Sequence, residues 1–352
     1  MESTLDTGAP PARTAALDAA RLSAWLEHAL PATPGPLGRV ELLAGGRSNL
    51  TYRLSWGERD LVLRRPPLGH VLPTAHDMGR EYRVLAALAP TPVPVPRPFG
   101  LCEDTSVIGA PFYVMELAVG GTYRSDADLA PLDAGAAALT THALVDTLAE
   151  LHAVDPRAVG LDGFGRPEGF MERQVRRWRK QWDASRTREV AGADELNDLL
   201  AARLPRSSRA ALVHGDYKLD NLLFAPGDPG RVAAVLDWEM SALGDPLSDL
   251  GMLCMYWDGF AGIARAPVPS PGVLPGWPDR AAVVERYARH GRVPLDDLDW
   301  YVAFAFYKIA AILEGIHCRT VQGLTLGEES ADLAPAVALL VDRGHAALRA
   351  LG

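Results

Sequence analysis

Three oxygen-bearing side chains fall within one stretch of the chain: Asp216, Asn221 five residues later, and Asp237. A short apolar strand (Ala211, Leu212, Val213) breaks at His214-Gly215-Asp216, and the chain turns apolar again at Leu222-Leu223-Phe224. A turn spanning Pro226 to Gly230 leads into a second apolar run, Val232 to Leu236, which ends on Asp237. The expected local form is a hairpin bracketed by two aspartates, with an asparagine between them. Magnesium takes hard oxygen ligands, which one carboxylate and one amide carbonyl supply. A second carboxylate can orient a hydroxyl and take its proton. Phosphoryl transfer uses that combination, because its loose transition state is catalysed mostly by positioning and by neutralising charge.

Protein kinases carry a catalytic-loop Asp, an Asn five residues on and the Asp of D-F-G in the same order. Here H-G-D-x-x-x-x-N is followed by L-D-W-E and then by G-D-P-L-S-D-L. Together these motifs resemble the aminoglycoside and choline kinase-like phosphotransferases, which share the protein-kinase fold. The nearest likeness is to the kinase-like domains related to those preceding acyl-CoA dehydrogenase-like modules in long multidomain proteins, and it runs from Gly38 to Thr325. The resemblance implies an α+β, two-lobed protein-kinase-like fold: an antiparallel N-lobe sheet with one long helix, then a mostly helical C-lobe. It also implies ATP (with GTP left open) and Mg²⁺. Asp216 would be the catalytic residue, Asn221 and Asp237 the metal ligands, and Asp249 a brace for the catalytic-loop backbone.

The elements that must position these groups follow from pattern. Residues 1–15 read as a mobile tail, 16–117 as the nucleotide-binding lobe, and 118–352 as the lobe with the catalytic loop and acceptor site. Leu17 to Leu30 has helical spacing, with Leu22, Trp25 and Leu26 on one face. From Arg39 the pattern becomes that of strands, and Leu50, Tyr52, Leu54 and Trp56 alternate as one buried face. By the resemblance, Gly45, Gly46, Ser48 and Asn49 would lie over nucleotide phosphates. The third strand would hold the phosphates and pair with a helix glutamate. Its matching residue is an arginine, Arg64, although kinases use lysine; alternation lets only one of Arg64 and Arg65 face inward, and Arg64 is favoured. A helix capped near Thr74 would carry Glu81 as its partner. Residues 91–98 read as an extended connector, and Met115, Glu116 and Leu117 would form a hinge whose backbone reads a purine edge.

In the second lobe, Leu139 to His152 reads as a buried helix, with His152 packed and hydrogen-bonded. Residues 171–188 hold seven Lys/Arg against two Asp/Glu. Val175, Trp178 and Trp182 share one helical face there, and the cations line another. This is either a solvated basic face or, through Arg176 and Arg177 with the distant Arg319, a site for an anionic substrate handle. Only seven residues separate Asp237 from Asp245 and no A-P-E follows, so a small molecule is expected and a polypeptide substrate is not. The acceptor could be a hydroxyacyl-CoA; the alternatives are an aminoglycoside or choline-like cation, or a regulatory pseudokinase that only binds nucleotide. A pseudokinase would be expected to lack one of Asp216, Asn221 and Asp237, and all are present.

Composition sets the outer bounds. The formal net charge of −9 argues against nucleic acid as a partner. Three scattered cysteines (Cys102, Cys254, Cys318) without metal-ligand spacing fit a reduced, cytoplasmic setting. The run from Tyr301 to Thr320 is strongly apolar but interrupted by Lys308 and Glu314, so a core helix is expected there and not a membrane span.

Overall fold

The computed structural model describes residues 17–30, 35–43, 49–67, 77–207, 209–263, 266–291, 293–322 and 333–350. The expected tail, Thr74, and the glycine loop at 45–48 lie outside them. The chain divides into two units, Met1–Pro90 with Pro96–Ala118, and Thr91–Val95 with Val119–Gly352. Part of the proline-rich connector thus belongs with the second unit, through the Val235 N–H bond to the Pro94 carbonyl.

The first unit contains α1 (Ala19–Ala29), β1 (Leu37–Leu42), β2 (Leu50–Trp56), β3 (Arg59–Arg65), α2 (Met78–Leu88), β4 (Pro98–Cys102) and β5 (Phe112–Glu116). The five strands form one antiparallel sheet in the order β1-β2-β3-β5-β4. Alternation in β2 buries Tyr52, Leu54 and Trp56, which join Leu61 and Leu63 of β3 and Leu22 and Leu26 of α1 in one apolar cluster. The opposite face of β5 carries Tyr113 toward α2, which packs over β4 and β5. Asp77, and not Thr74, caps α2, its carboxylate accepting the Arg80 N–H.

The second unit begins with α3 (Asp126–Leu129), α4 (Ala134–Ala153), α5 (Phe170–Ser185) and α6 (Ala193–Ala202). Next come β6 (Ala211–Val213), β7 (Leu222–Ala225), β8 (Asp228–Val235) and β9 (Ala242–Gly244). The unit ends with α7 (Leu247–Asp258), α8 (Arg280–Gly291), α9 (Leu298–Val321) and α10 (Ala334–Ala350). β7 and β8 form the expected hairpin, and β6 pairs with β9. The turn is tighter than the sequence suggested: Asp228 already belongs to β8, leaving Pro226-Gly227 between the strands. α4 also starts earlier than expected, at Ala134 behind an Asp133 cap, and Leu139 is exposed. The expected core positions Leu144, Val145, Leu148 and Leu151 are fully buried.

α9 is the axis of this unit, packed by α5, α7 and α10. Its length and composition would suffice to cross a membrane, yet 78% of its most apolar window is buried inside the protein. α7 comes so close that a Cβ on Gly251 would lie 2.7 Å from the Tyr301 backbone. No side chain can yield there, because the obstacle is main chain. Gly251→Ala should therefore lower stability by about 1–3 kcal/mol through overpacking, read as a fall in the denaturant midpoint. An unchanged midpoint would show that α7 and α9 are not held at this separation.

Candidate active site

The catalytic-type loop leaves β6 at Val213 and is held from α7. Asp249, fully buried in the first turn of that helix, accepts the His214 N–H at 2.6 Å and the Gly215 N–H at 2.8 Å on its two oxygens. His152 of α4 lies 3.3 Å from the same carboxylate through Nε2, and its Nδ1 lies 2.7 Å from the Tyr287 hydroxyl. Burial pushes the Asp249 carboxyl up, but the His152 and His214 bonds outweigh it and hold it below the ordinary carboxylate value. Gly215 has φ +85°, and a Cβ there would lie 2.6 Å from the Met240 carbonyl, so this position needs glycine.

His214 locks the loop to the second aspartate. Its Nδ1 accepts the Asp216 N–H at 3.2 Å, which leaves Nε2–H to donate to the Leu236 carbonyl at 2.8 Å. The Leu236 N–H in turn donates to the Asn221 carbonyl at 2.8 Å. The residue before Asp237 is thereby fixed on both sides. Asp237 itself has φ 66°, the left-handed region, and no other non-glycine among the described residues has a positive φ. Such a conformation costs on the order of 1–3 kcal/mol and persists where its surroundings over-determine it.

Asp216 lies where these constraints converge. Its Oδ1 accepts the Tyr256 hydroxyl at 2.7 Å, and its Oδ2 accepts Lys218 Nζ at 2.8 Å and Asn221 Nδ2 at 3.2 Å. Burial raises its carboxyl, but the Lys218 and Lys308 charges and the Lys218 and Tyr256 bonds prevail, so it titrates below its ordinary value. An ionised, weakly basic carboxylate is suited to orienting a hydroxyl and receiving its proton late in a transfer. Asn221 also donates to the Asp216 carbonyl at 2.8 Å. With its amide N–H groups so used, its carbonyl oxygen can serve as a hard ligand, the chemistry that magnesium requires.

Lys218 and Tyr256 were not among the residues singled out by sequence, and Lys308 was noted there only as an interruption of an apolar run. Lys218 carried a signal, two residues after Asp216 in the same loop. Lys308 carried another, as a lone cation in the apolar run YVAFAFYKIAAIL. Tyr256 carried none, because only the packing of α7 brings it to Asp216.

In the first unit, Glu81 is 2% exposed and gathers three groups. Arg64 Nε lies 3.1 Å from its Oε2, Tyr113 donates to Oε2 at 2.9 Å, and Asn49 Nδ2 donates to Oε1 at 2.9 Å. Arg65 faces the other way, to the Ile108 carbonyl at 2.9 Å. The Asn49 side chain is buried against Glu81 and braces the ion pair. The Glu116 N–H donates to the Arg97 carbonyl at 2.8 Å. Met115 lies in β5 opposite Val62, with Leu117 just past the strand end. Gly45, Gly46 and Ser48 lie outside the described residues.

The basic face of α5 is where the sequence placed it, with Val175, Trp178 and Trp182 buried beneath. Arg173, Arg176, Arg177, Lys180 and Gln181 line a concavity of about 410 Å³. Arg176 is paired with Glu172, an exposed contact of small energy. Arg319 is exposed near the end of α9, beside Gln181 at Gly315.

Asp249 offers a test of the loop brace. Asp249→Asn puts an amide N–H₂ opposite backbone donors, so stability should fall by about 3 kcal/mol or more, with turnover falling alongside it. The folded value is depressed, so Asp249 contributes fully above its unfolded value of about 4, and the contribution is lost as acid takes the group through its lower folded value. The variant should lack that acid-dependent component in denaturation followed from pH 7 to pH 2. Unchanged stability and an unchanged acid profile would remove Asp249 as the brace.

The comparisons agree with this geometry. Residues 39–300 match the phosphotransferase enzyme family, APH. The chain is 40% identical over 299 residues to acyl-CoA dehydrogenase family member 10 of Mus musculus, covering 81% of this chain and 27% of that protein. It is 35% identical over 336 residues to family member 11 of Gallus gallus, covering 93% and 43%. It therefore spans less than half the length of these curated relatives. A solved structure from Ralstonia eutropha, provisionally assigned as an aminoglycoside phosphotransferase, is 35% identical with a TM-score of 0.82, over 95% of this chain and 99% of that one. Aminoglycoside phosphotransferase APH(4)-Ia, solved with AMP-PNP and hygromycin B, shares the fold at 16% identity and a TM-score of 0.60, over 93% and 97%. The chain belongs to the phosphotransferase enzyme family.

Proposed function

We propose that this phosphotransferase carries the ATP γ-phosphoryl group to the hydroxyl of a hydroxyacyl-CoA or a closely similar anionic acceptor. The observation that carries the catalytic part is the Asp216 carboxylate, held between Tyr256, Lys218 and Asn221 on a loop tied to Asp249. Asp216 orients the acceptor hydroxyl. As that oxygen bonds to phosphorus, the bond to the leaving ADP oxygen breaks and the hydroxyl proton passes to Asp216. Lys218 meets charge on the transferring group, while Arg64, oriented by Glu81, meets the α/β-phosphates through its planar fork. Asn221 and Asp237 would hold magnesium, which when bound neutralises phosphate charge.

The acceptor class follows from charge and kinship. Aminoglycosides are polycations, and such an acceptor would meet like charge at Arg173, Arg176, Arg177 and Lys180. Coenzyme A brings phosphates to meet the same cations, while Trp178 and Trp182 are buried beneath them and offer no face to its adenine. The names of the curated relatives point to acyl-CoA chemistry as well. A reduced cytoplasmic setting suits the free cysteines, of which Cys102 and Cys254 are buried.

Two experiments test this reading. Asp216→Asn and Asp237→Asn should each lower turnover on the order of a hundredfold or more, about 3 kcal/mol of transition-state stabilisation. The Asp216→Asn variant should still bind ATP, as measured by calorimetry. Turnover within threefold of the parent, or loss of ATP binding by folded Asp216→Asn, would reassign the roles. Separately, binding of a hydroxyacyl-CoA should weaken with salt and fall about thirtyfold or more in the Arg176→Ala/Arg177→Ala double variant, since each lost phosphate contact of this kind is worth about 1 kcal/mol or more. Equal binding by parent and variant, or none by either, reduces the α5 face to a solvated surface.

A further inference from the structure

Lys308 lies midway along α9 and keeps 5% of its surface exposed. Nothing in the helix around it needs a charge, since Phe304, Phe306, Tyr307, Ile309 and Ala311 are all buried. Burying an ammonium costs several kcal/mol of hydration unless its donors are met. An ammonium has three N–H donors. Among the described residues one hydrogen bond meets them, to the Gly215 carbonyl at 2.6 Å. Nζ otherwise faces the Trp178 ring of α5, 5.5 Å from its centroid.

Trp178 repeats the pattern. It is 6% exposed, and its indole Nε1–H has no hydrogen-bond partner. The Arg177 guanidinium lies 5.5 Å from the centroid of the same ring, and no carboxylate pairs with it among the described residues. Buried donors without acceptors are uncommon and each needs an explanation, such as an ion, water or ligand. Every polar group in this set is a donor. What completes it must therefore bring oxygen lone pairs, and an amino-sugar ammonium brings none.

The place is as telling as the chemistry. The carbonyl that Lys308 holds is that of Gly215, the residue immediately before Asp216. Lys308 thus ties α9 to the backbone of the residue before Asp216, and Trp178 meets it from the buried side of α5, beneath the basic face.

We propose that Lys308 and Trp178 form the subsite that receives the carbonyl oxygen of the acceptor while Asp216 receives its hydroxyl. The proposal rests on the hydroxyacyl reading above and adds to it the residues that would tell a hydroxyacyl group from a plain alcohol. Burial pushes Lys308 down to about 8, against the pull of the Asp216 and Asp249 carboxylates. At neutral pH it is therefore still an ammonium, but a poorly solvated one that gains from an oxygen ligand.

The experiment compares a hydroxyacyl-CoA thioester with the matching hydroxyalkyl-CoA thioether, in which a methylene replaces the carbonyl. The parent should favour the thioester in kcat/KM by roughly 10–100-fold, the worth of hydrogen bonds to a charged donor. Lys308→Met, close in volume and free of the buried charge, should bring the ratio near unity through the acceptor KM, with the KM for ATP unchanged. Trp178→Phe, which removes only the indole N–H and part of the ring, should lower the same ratio severalfold. If Lys308→Met slows both acceptors equally and keeps the ratio, Lys308 merely ties α9 to Gly215 and the subsite is refuted. A parent that turns over both acceptors equally also refutes the subsite, while leaving the coenzyme A reading intact. A parent that turns over neither refutes the hydroxyacyl reading, and this subsite with it.

Discussion

The interaction on which the second unit depends is the seating of one buried carboxylate under two successive backbone N–H groups. Asp249 accepts from His214 and Gly215 and is itself steadied by His152, which reaches in from α4. Charge-assisted bonds of this kind are roughly twice as strong as neutral ones and are directional. They fix the start of the loop to α7, and everything that follows inherits the position: Asp216, the His214 link to Leu236, and through it the strained Asp237. A buried carboxylate is costly alone. Here it is stable because donors from several elements converge on it, which no local sequence could provide.

The same unit tolerates other charge inside its apolar framework, and it clusters by the loop. Lys218 and Lys308 lie on the Asp216 side, with Tyr256 donating to the same carboxylate. Glu314, six residues beyond Lys308 on α9, is fully buried but accepts from the Thr187 N–H and pairs with Arg188. The contrast is instructive. Glu314 takes hydrogen bonds from its own fold on Oε1 and the Arg188 charge beside Oε2, and it ties the segment after α5 to α9. Lys308 is satisfied only in part, and a partly satisfied buried charge is a feature that stability by itself would remove.

In the first unit the ion pair is built with arginine where kinases have lysine. Arg64 cannot be exchanged for lysine without loss of its planar geometry, and Glu81 is arranged to suit it, with Tyr113 and Asn49 donating to the same carboxylate. The buried side chain of Asn49 closes this network at the end of the loop, so the loop terminus is anchored even though its glycines lie beyond the described residues.

Sequence alone determined the local pieces, because their signals are local. Alternation in β2 fixed its buried face, the spacing of Val175, Trp178 and Trp182 fixed that of α5, and the order Asp216, Asn221, Asp237 fixed the hairpin that carries the chemistry. It also required that only one of Arg64 and Arg65 face inward, because a strand turns neighbours to opposite faces, and left to packing which of them does. What it could not determine were relations between distant segments. That Tyr256 of α7 reaches Asp216, that Lys308 of α9 holds the Gly215 carbonyl, that Asn49 is drawn into Glu81, and that Arg97 takes the Glu116 N–H were decided by packing. Each joins residues between 19 and 93 positions apart. Hydrogen-bond partners are chosen by which groups burial leaves unsatisfied side by side, and that is settled only when the helices and strands have docked.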